Sequence, residues 1–418
     1  MLRTLAAEAA RRFGQRMAFA AVRPAGLPQQ PEESADGWQL SYADLDRLSD
    51  EAAAGLAFRG VLPGDVVALA LPTVPEFPVC YLAAVKLGAV VAGLDPRWPP
   101  AVLDRLGNLL RSAVTMAPFG LDIGPGPDGD LIRVALAASA RAALAGFRRA
   151  EPPPPPLPPD SARPAVIAFT SGRTGLPRGA AFGVSQLDAV RAAEAGESWG
   201  SAAGNVVLTG IPPAHYRFMT RLPAMLQAGQ SHVLMGSWSP QRVLEVAAVV
   251  RATELAGLPA QLAQLVGNGP AGAAWPPGGP AGLPCLKLVS TGDAAVPAGL
   301  PAALRQRFGA GVQVRYGCAE AGLGLSLCPG DAAAGVDGCA GVPAPGVTVA
   351  VRDAAGRDVP GGEFGEVLLR SAACMNGYWN DPQASSAAFT SDHFVRTGDR
   401  GRLDGEGRLF LAGQIGPG

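Results

Sequence analysis

The stretch Phe169-Thr170-Ser171-Gly172-Arg173-Thr174-Gly175-Leu176-Pro177-Arg178-Gly179 packs three hydroxyl residues, three glycines and two arginines into eleven positions. Glycine lets backbone N–H groups approach a ligand without interference from Cβ. Thr170, Ser171 and Thr174 add hydroxyl donors, and Arg173 and Arg178 add fixed positive charge. That donor set suits a polyphosphate. The apolar run Ala165-Val166-Ile167-Ala168 before it reads as a buried strand. The loop is not of the Walker type: the fifth position beyond Gly172 is Pro177, and no Lys-Ser/Thr pair follows. An ordinary Gly/Pro turn between two strands fits the same residues.

A second constellation, Tyr316-Gly317-Cys318-Ala319-Glu320, ends an apolar run that reads as a parallel strand. The C-terminal ends of such strands are where α/β folds place ligands. A ring, a glycine and a carboxylate there suit stacking of a base and holding of Mg2+; a strand-end turn with a solvated glutamate is the plain alternative. Further on come Gly377-Tyr378-Trp379-Asn380-Asp381-Pro382 and Arg396-Thr397-Gly398-Asp399. Asp399 reads as part of a Gly-bounded turn, able to accept both hydroxyls of a ribose or to face solvent.

These residues need rigid supports. Ser41 is placed to cap a helix, with Asp44 at its positive end; Leu45, Leu48, Ala52 and Leu56 share one face, and Gly60 ends it. Strands at 66–71, 89–92 and 113–116 alternate with helices at 75–87 and 100–111. After the loop, helices at 185–195, 215–227, 240–252 and 297–308 alternate with strands at 206–208, 232–235, 286–290 and 312–316. Apolar strands alternating with helices mean a parallel sheet covered on both faces. From about Gly338 the period falls to two, with hairpin signals at Asp353-Ala354-Ala355-Gly356 and Pro360-Gly361-Gly362. The expected fold class is α/β: two doubly wound, mostly parallel-sheet subdomains, at 1–160 and 161–337, plus a smaller C-terminal β-rich subdomain at 338–418. The proline-rich residues 151–159 read as a stiff spacer leading into the glycine loop, with an SH3-type ligand as the alternative.

Composition narrows the function classes. The 418 residues carry 34 basic and 35 acidic side chains, a balance that argues against a nucleic-acid partner or a membrane-surface protein. The 55 glycines and 40 prolines accompany strong apolar periodicity, so they mark turns and not wholesale disorder. Six cysteines include no C-x-x-C pair, and buried free thiols in a reducing compartment are expected. His215, His232 and His393 are too scattered for a metal site. No signal-peptide core is seen, and no apolar run approaches the roughly 18 residues of a membrane span, because Lys86 interrupts the longest one. A cytoplasmic enzyme is expected.

Taken together and in this order, the motifs resemble those of the adenylate-forming superfamily: acyl- and aryl-CoA synthetases, nonribosomal adenylation domains and luciferases. Residues 170–179 are similar to its phosphate loop, TSGTTGxPKG, and 316–320 to its YGxTE. Leu40–Leu45, Gly60–Asp65, Gly88–Pro96, Gly365–Trp379 and Arg396–Asp399 match further family segments, so the resemblance spans nearly the whole chain. It implies an acid–thiol ligase that uses ATP and Mg2+ to turn a carboxylic acid into an acyl-adenylate, then passes the acyl group to CoA or a phosphopantetheine thiol. A small-molecule acid and an acyl carrier protein are the implied partners. Thr170, Ser171, Gly172, Arg173, Thr174 and Gly175 would wrap the phosphates, with Arg178 as the loop cation. Glu320 would ligate Mg2+. Tyr316 with Gly317 would stack the adenine, Gly292, Asp293 and Ala294 would line its pocket, and Asp399 would hold the ribose. His215, Tyr216, Gly317 and Gly322 would border the acyl group, with His215 at its entrance.

Several positions depart from the family pattern. Arg173 stands where a second Ser/Thr is usual, Arg178 replaces a lysine, Ala319 replaces the YGxTE threonine, and Gln414 replaces an arginine. The resemblance implies a further small C-terminal domain, and that domain is expected to be missing from a chain that stops at Gly418. One expectation is therefore an excised or complete ligase; the other is an impaired relative that binds nucleotide or acyl ligand as a scaffold, or needs a partner to complete its site. Residues 213–219 hold no acid to pair with an ammonium group, so an aryl or fatty acid is expected in preference to an α-amino acid.

Overall fold

Strands made only of Val, Ala, Leu and Gly have no polar face to show to water, so they must be covered on both sides. Val66–Leu69 and Val90–Gly93 are buried along their whole length. They lie at the centre of the first of two compact units seen in a computed structural model, which describes residues 2–22, 38–136, 139, 142, 144–155, 157–158, 160–170, 175–267, 282–331, 336 and 338–415. The units interleave along the chain. The first takes Met1–Gly204, Pro212–Gly236 and Met375–Pro382; the second takes Asn205–Ile211, Ser237–Cys374 and Gln383–Gly418. Among the described residues no helix is long and apolar enough to cross a membrane.

The first unit contains a seven-stranded sheet in the order Gly377–Tyr378, Gly179–Gly183, Pro164–Phe169, Val90–Gly93, Val66–Leu69, Val114–Pro118, Asp130–Val134. The last five strands run parallel. Gly179–Gly183 turns back antiparallel on Pro164–Phe169, and Gly377–Tyr378 adds antiparallel to it. In the same unit Met17–Ala21 pairs parallel with Ser231–Leu234 and antiparallel with Gln39–Ser41. Helix Tyr42–Phe58 starts as the sequence predicts: Ser41 Oγ accepts the Asp44 N–H at 3.0 Å. Lys86, which breaks the longest apolar run, is buried with its ammonium satisfied by Asp46 Oδ1, the Asp46 carbonyl and Asp50 Oδ1 at 2.7–2.9 Å.

The second unit has four parallel strands, Val206–Thr209, Glu254–Ala256, Leu288–Gly292 and Gly311–Tyr316. An antiparallel set follows: Leu325–Leu327, Cys339–Pro343, Leu409–Gln414, Val395–Leu403, Gly365–Arg370 and Thr348–Arg352. The α/β class with two parallel-rich sheets and a β-rich C-terminal region is thus observed. The short strands Met17–Ala21, Gln39–Ser41 and Asp130–Val134 carry too few periodic residues to announce themselves in the sequence. All six cysteines are free thiols, but only Cys80 and Cys339 are buried as expected; Cys285, Cys318 and Cys374 are half-buried and Cys328 is exposed.

Helix Tyr216–Ala228 contains Pro223. Proline has no N–H to give to the carbonyl four residues back, which here belongs to Met219. The fully buried Tyr81 hydroxyl donates to that carbonyl at 2.8 Å. One side chain thus repairs a helix defect and ties the helix to Glu76–Lys86. The strand Val90–Gly93 ends under the same helix: a Cβ on Gly93 would lie 3.0 Å from Ala214 Cα and Met219 Sδ, a tight fit that favours a bare backbone there.

Two predictions follow from this core. Tyr81→Phe leaves a buried carbonyl unpaired and should lower stability by about 1–3 kcal/mol, whereas in a Pro223→Ala background, with the helical N–H restored, the same change should cost much less; denaturant unfolding of the four proteins checks this. His232 is buried with its ring stacked on Phe19 at 5.6 Å, and burial pulls its pKa from 6.5 down to about 4. Between those values the unfolded chain binds a proton that the folded chain refuses. The stabilising contribution is complete above the unfolded pKa and is lost as pH falls, by about 3 kcal/mol near pH 4. His232→Gln should flatten that slope in unfolding curves measured at neutral and mildly acid pH.

Candidate functional site

In the first unit the glycine loop leaves and re-enters one antiparallel strand pair, in which Phe169 is in register with Gly179. Thr170 N–H donates to the Arg178 carbonyl at 2.9 Å, and Arg178 N–H donates to Thr170 Oγ1 at 3.0 Å. The two roots of the loop are therefore locked together. Gly175 has φ 149°, a conformation open to glycine, and a Cβ on Gly179 would lie 2.6 Å from Ile167 Cγ2. Ser171, Gly172, Arg173 and Thr174 lie outside the described residues. Arg178 is exposed, with its guanidinium 5.5 Å from the centre of the Tyr378 ring. The segment carrying Tyr378 pairs directly with the strand leaving the loop, Gly377 opposite Ala181 and Tyr378 opposite Ala180. This juxtaposition of two motifs two hundred residues apart has no local signal in the sequence.

His215 caps helix Tyr216–Ala228: its Nδ1 accepts the Arg217 N–H at 3.3 Å, and its ring lies 4.8 Å from that of Tyr216. Tyr216 is buried. The expected acyl-pocket pair thus sits at a helix start whose position depends on Gly93 beneath it.

In the second unit Tyr316 is the last residue of Gly311–Tyr316, and Gly317, Cys318, Ala319 and Glu320 follow as a turn. The strand end is pinched on both sides by glycine. A Cβ on Gly292 would overlap the Arg315 carbonyl oxygen, and one on Gly324 would overlap that of Tyr316. Gly292 also has φ 144°, and Asp293 beside it adopts the left-handed φ of 61°. Asp293 N–H donates to the Arg315 carbonyl at 3.3 Å, and Ala294 is exposed. Gly322 has φ 66°. Gly324, which sequence reasoning passed over, was detectable as one more glycine just past a strand end.

The Tyr316 hydroxyl donates to Asp399 Oδ2 at 2.9 Å. Burial, followed by the charge of Asp399, pushes the tyrosine pKa well up, so the phenol stays protonated and donating. Asp399 is not in a turn, as its sequence suggested. It lies within strand Val395–Leu403, paired with Gln414, because Gly398 at φ 71° and a register shift after Arg400 accommodate the local irregularity inside the ladder. Thr397 Oγ1 accepts the Asp399 N–H at 3.1 Å and donates to the Val367 carbonyl at 2.7 Å, a second support that the motif reading did not single out. Gln414 Nε2 reaches Asp399 Oδ1 at 3.5 Å. Burial, then the neighbouring Glu320, pushes the Cys318 thiol pKa well up, which keeps it neutral beside the carboxylate.

Each unit therefore gathers its own share of the expected residues. Thr170 and Arg178 meet at one strand end, with Gly175 three residues before Arg178, and His215 and Tyr216 meet at one helix start. Gly292, Asp293, Tyr316, Gly317, Glu320, Gly322 and Asp399 surround the end of one parallel strand or contact its last residue. Among the described residues no group of three or more His, Cys, Asp and Glu side chains could hold a metal ion on its own. Glu320 suits a cation whose remaining ligands come from phosphate oxygens, not a self-contained protein metal site.

A family model described as AMP-binding enzyme matches residues 6–379. Indoleacetate–CoA ligase of Aromatoleum aromaticum is 32% identical over 390 residues, 90% of this chain and 73% of that protein. Feruloyl-CoA synthase of an Amycolatopsis species is 30% identical over 400 residues, 91% of this chain and 74% of that protein. Among solved structures, ATP-bound MatB from Rhodopseudomonas palustris superposes with a TM-score of 0.82 at 23% identity, covering 99% of this chain and 79% of its own. The inhibitor-bound N-terminal domain of FACL13 from Mycobacterium tuberculosis superposes with a TM-score of 0.81 at 23% identity, over 99% of both chains. The two structures speak for the fold, and the family match and the two relatives for membership. With its ordered motifs, its α/β architecture and these matches, the chain belongs to the AMP-binding enzymes, the adenylate-forming acid–thiol ligases.

Proposed function

We propose that this protein activates an aryl or arylalkanoic acid with ATP and transfers the acyl group to the thiol of CoA. The observation that carries the reading is the Tyr316–Asp399 hydrogen bond at the end of a parallel strand. It fixes an aromatic ring and a carboxylate as one unit, the pair a nucleoside needs for its base and its ribose. Asp399 Oδ1, which Gln414 Nε2 reaches at 3.5 Å, has a second lone pair for a ribose hydroxyl, and Gly292, Asp293, Ala294 and Gly317 would line the adenine.

In this reading a carboxylate oxygen of the acid attacks the α-phosphorus of ATP. The bond from that phosphorus to the bridging oxygen of pyrophosphate breaks, giving acyl-adenylate and pyrophosphate. A thiol sulfur then attacks the acyl carbon, and AMP departs with the bonding pair. Both steps depend on positioning and charge stabilisation. Thr170, Gly175 and residues 171–174 between them wrap the β- and γ-phosphates, and Arg178 adds charge. Glu320 would hold Mg2+, which when bound would neutralise phosphate charge. Ala319 in place of threonine removes one hydroxyl donor and leaves that carboxylate in place.

The substrate class is supported by three facts. Two relatives at 30% identity or more are named for indoleacetate and ferulate. His215 and Tyr216 present an aromatic pair at a helix start. The segment 213–219 offers no acid to an ammonium. The relatives described above are named as a ligase and a synthase, which favours catalysis over a binding scaffold.

Acid-dependent ATP–pyrophosphate exchange over a panel of indoleacetate, ferulate, coumarate, straight-chain fatty acids and amino acids tests the reading. Exchange should be highest with the aryl acids; exchange with amino acids alone overturns the substrate class. Asp399→Ala should weaken MgATP binding about tenfold or more, the effect of one charge-assisted hydrogen bond, and unchanged affinity in that variant overturns the ribose assignment.

A further inference from the structure

The Gly-Tyr-Trp segment has no assigned task in nucleotide handling, yet the fold places it against the strand leaving the phosphate loop. Its placement is heavily determined. Asn376 N–H donates to the Ala181 carbonyl at 2.8 Å, and Trp379 N–H donates to the Gly179 carbonyl at 2.7 Å. Trp379 packs on an apolar cluster that includes Phe169, the last residue before the loop. Asn380 Nδ2 donates to the Leu109 carbonyl at 3.1 Å. Between these anchors the Tyr378 ring lies 5.5 Å from the Arg178 guanidinium.

Arg178 needs such support. Its backbone is pinned by Thr170, but its side chain is exposed, and a long exposed side chain loses rotamer freedom when it is held at a ligand. A planar guanidinium rests on an aromatic face better than an ammonium does. The arginine at this position and the tyrosine beneath it therefore make one device.

We propose that Tyr378 is a positioning residue for the loop cation: its ring carries the Arg178 guanidinium at the exit of the phosphate loop and so raises affinity for MgATP. The proposal rests on the reading of Arg178 as a phosphate-loop cation. Tyr378 acts through Arg178 and does not itself touch nucleotide. Its hydroxyl is dispensable, and its ring is not.

MgATP titrated calorimetrically into the native protein, Arg178→Ala, Tyr378→Phe, Tyr378→Leu and the Arg178→Ala/Tyr378→Leu double variant tests this, with melting temperatures measured alongside. Arg178→Ala should weaken binding roughly tenfold. Tyr378→Phe should bind as the native protein does. Tyr378→Leu should lose about two- to fivefold, as expected of an exposed cation–π contact, and should add nothing in the Arg178→Ala background. Should leucine unfold the protein, Tyr378→Val, better suited to a strand, takes its place in the same cycle. Native affinity in Tyr378→Leu beside a weakened Arg178→Ala overturns the role of the tyrosine alone. An equal loss from Tyr378→Leu in both backgrounds overturns it too, since the ring then acts on the fold and not through the arginine. Native affinity in Arg178→Ala overturns the reading of the loop cation and this inference with it.

Discussion

Thr170 and Arg178 close a pair of hydrogen bonds at the mouth of the glycine loop, and much of the first unit is arranged so that this closure can form. A strand must end at Phe169, reverse over a few residues and return in register at Gly179. The parallel strands behind the loop are buried on both faces, which makes the platform stiff, and the Gly-Tyr-Trp segment holds the returning strand from its other edge. Rigid roots of this kind suit the glycine-rich loop to the phosphate-binding role proposed for it.

The second unit applies the same logic with a different chemistry. The end of strand Gly311–Tyr316 is compressed between Gly292 and Gly324, where any side chain would strike a carbonyl oxygen. Beside that close approach stand the side chains of Tyr316 and Asp399. Their hydrogen bond joins residues 83 positions apart and makes one polar surface from a parallel strand and an antiparallel one.

Much of this was legible in the sequence wherever the signal is local. Ser41 with Asp44 announced a helix start, the Val/Ala/Leu runs announced buried strands, and the glycine loop and the Tyr-Gly-x-x-Glu turn announced their strand ends. Asp399 was misplaced because Gly398 looks like a turn residue, while the ladder with Leu409–Gln414 absorbs the irregularity and continues. The pairing of Gly377 with Ala181 was invisible, because register between distant segments depends on the surfaces they bury and leaves no periodic trace. The support of Asp399 by Thr397 was hidden inside a recognised motif, in which the aspartate drew attention and the threonine beside it did not.

The bond from Tyr81 to the Met219 carbonyl has a consequence for how this protein can change over generations. The hydroxyl at 81 matters most while proline at 223 withholds an N–H, and the proline is tolerable only while that hydroxyl is present. The hydroxyl cannot be lost first without stranding a buried carbonyl, whereas loss of the proline restores the helical N–H and leaves that carbonyl satisfied. The two positions should therefore drift as a linked pair, and a lineage that lost the proline first would find the tyrosine hydroxyl superfluous. Because the helix that carries Pro223 begins at Tyr216, the freedom to remodel the acyl pocket proposed there is governed partly by the order in which this distant pair mutates.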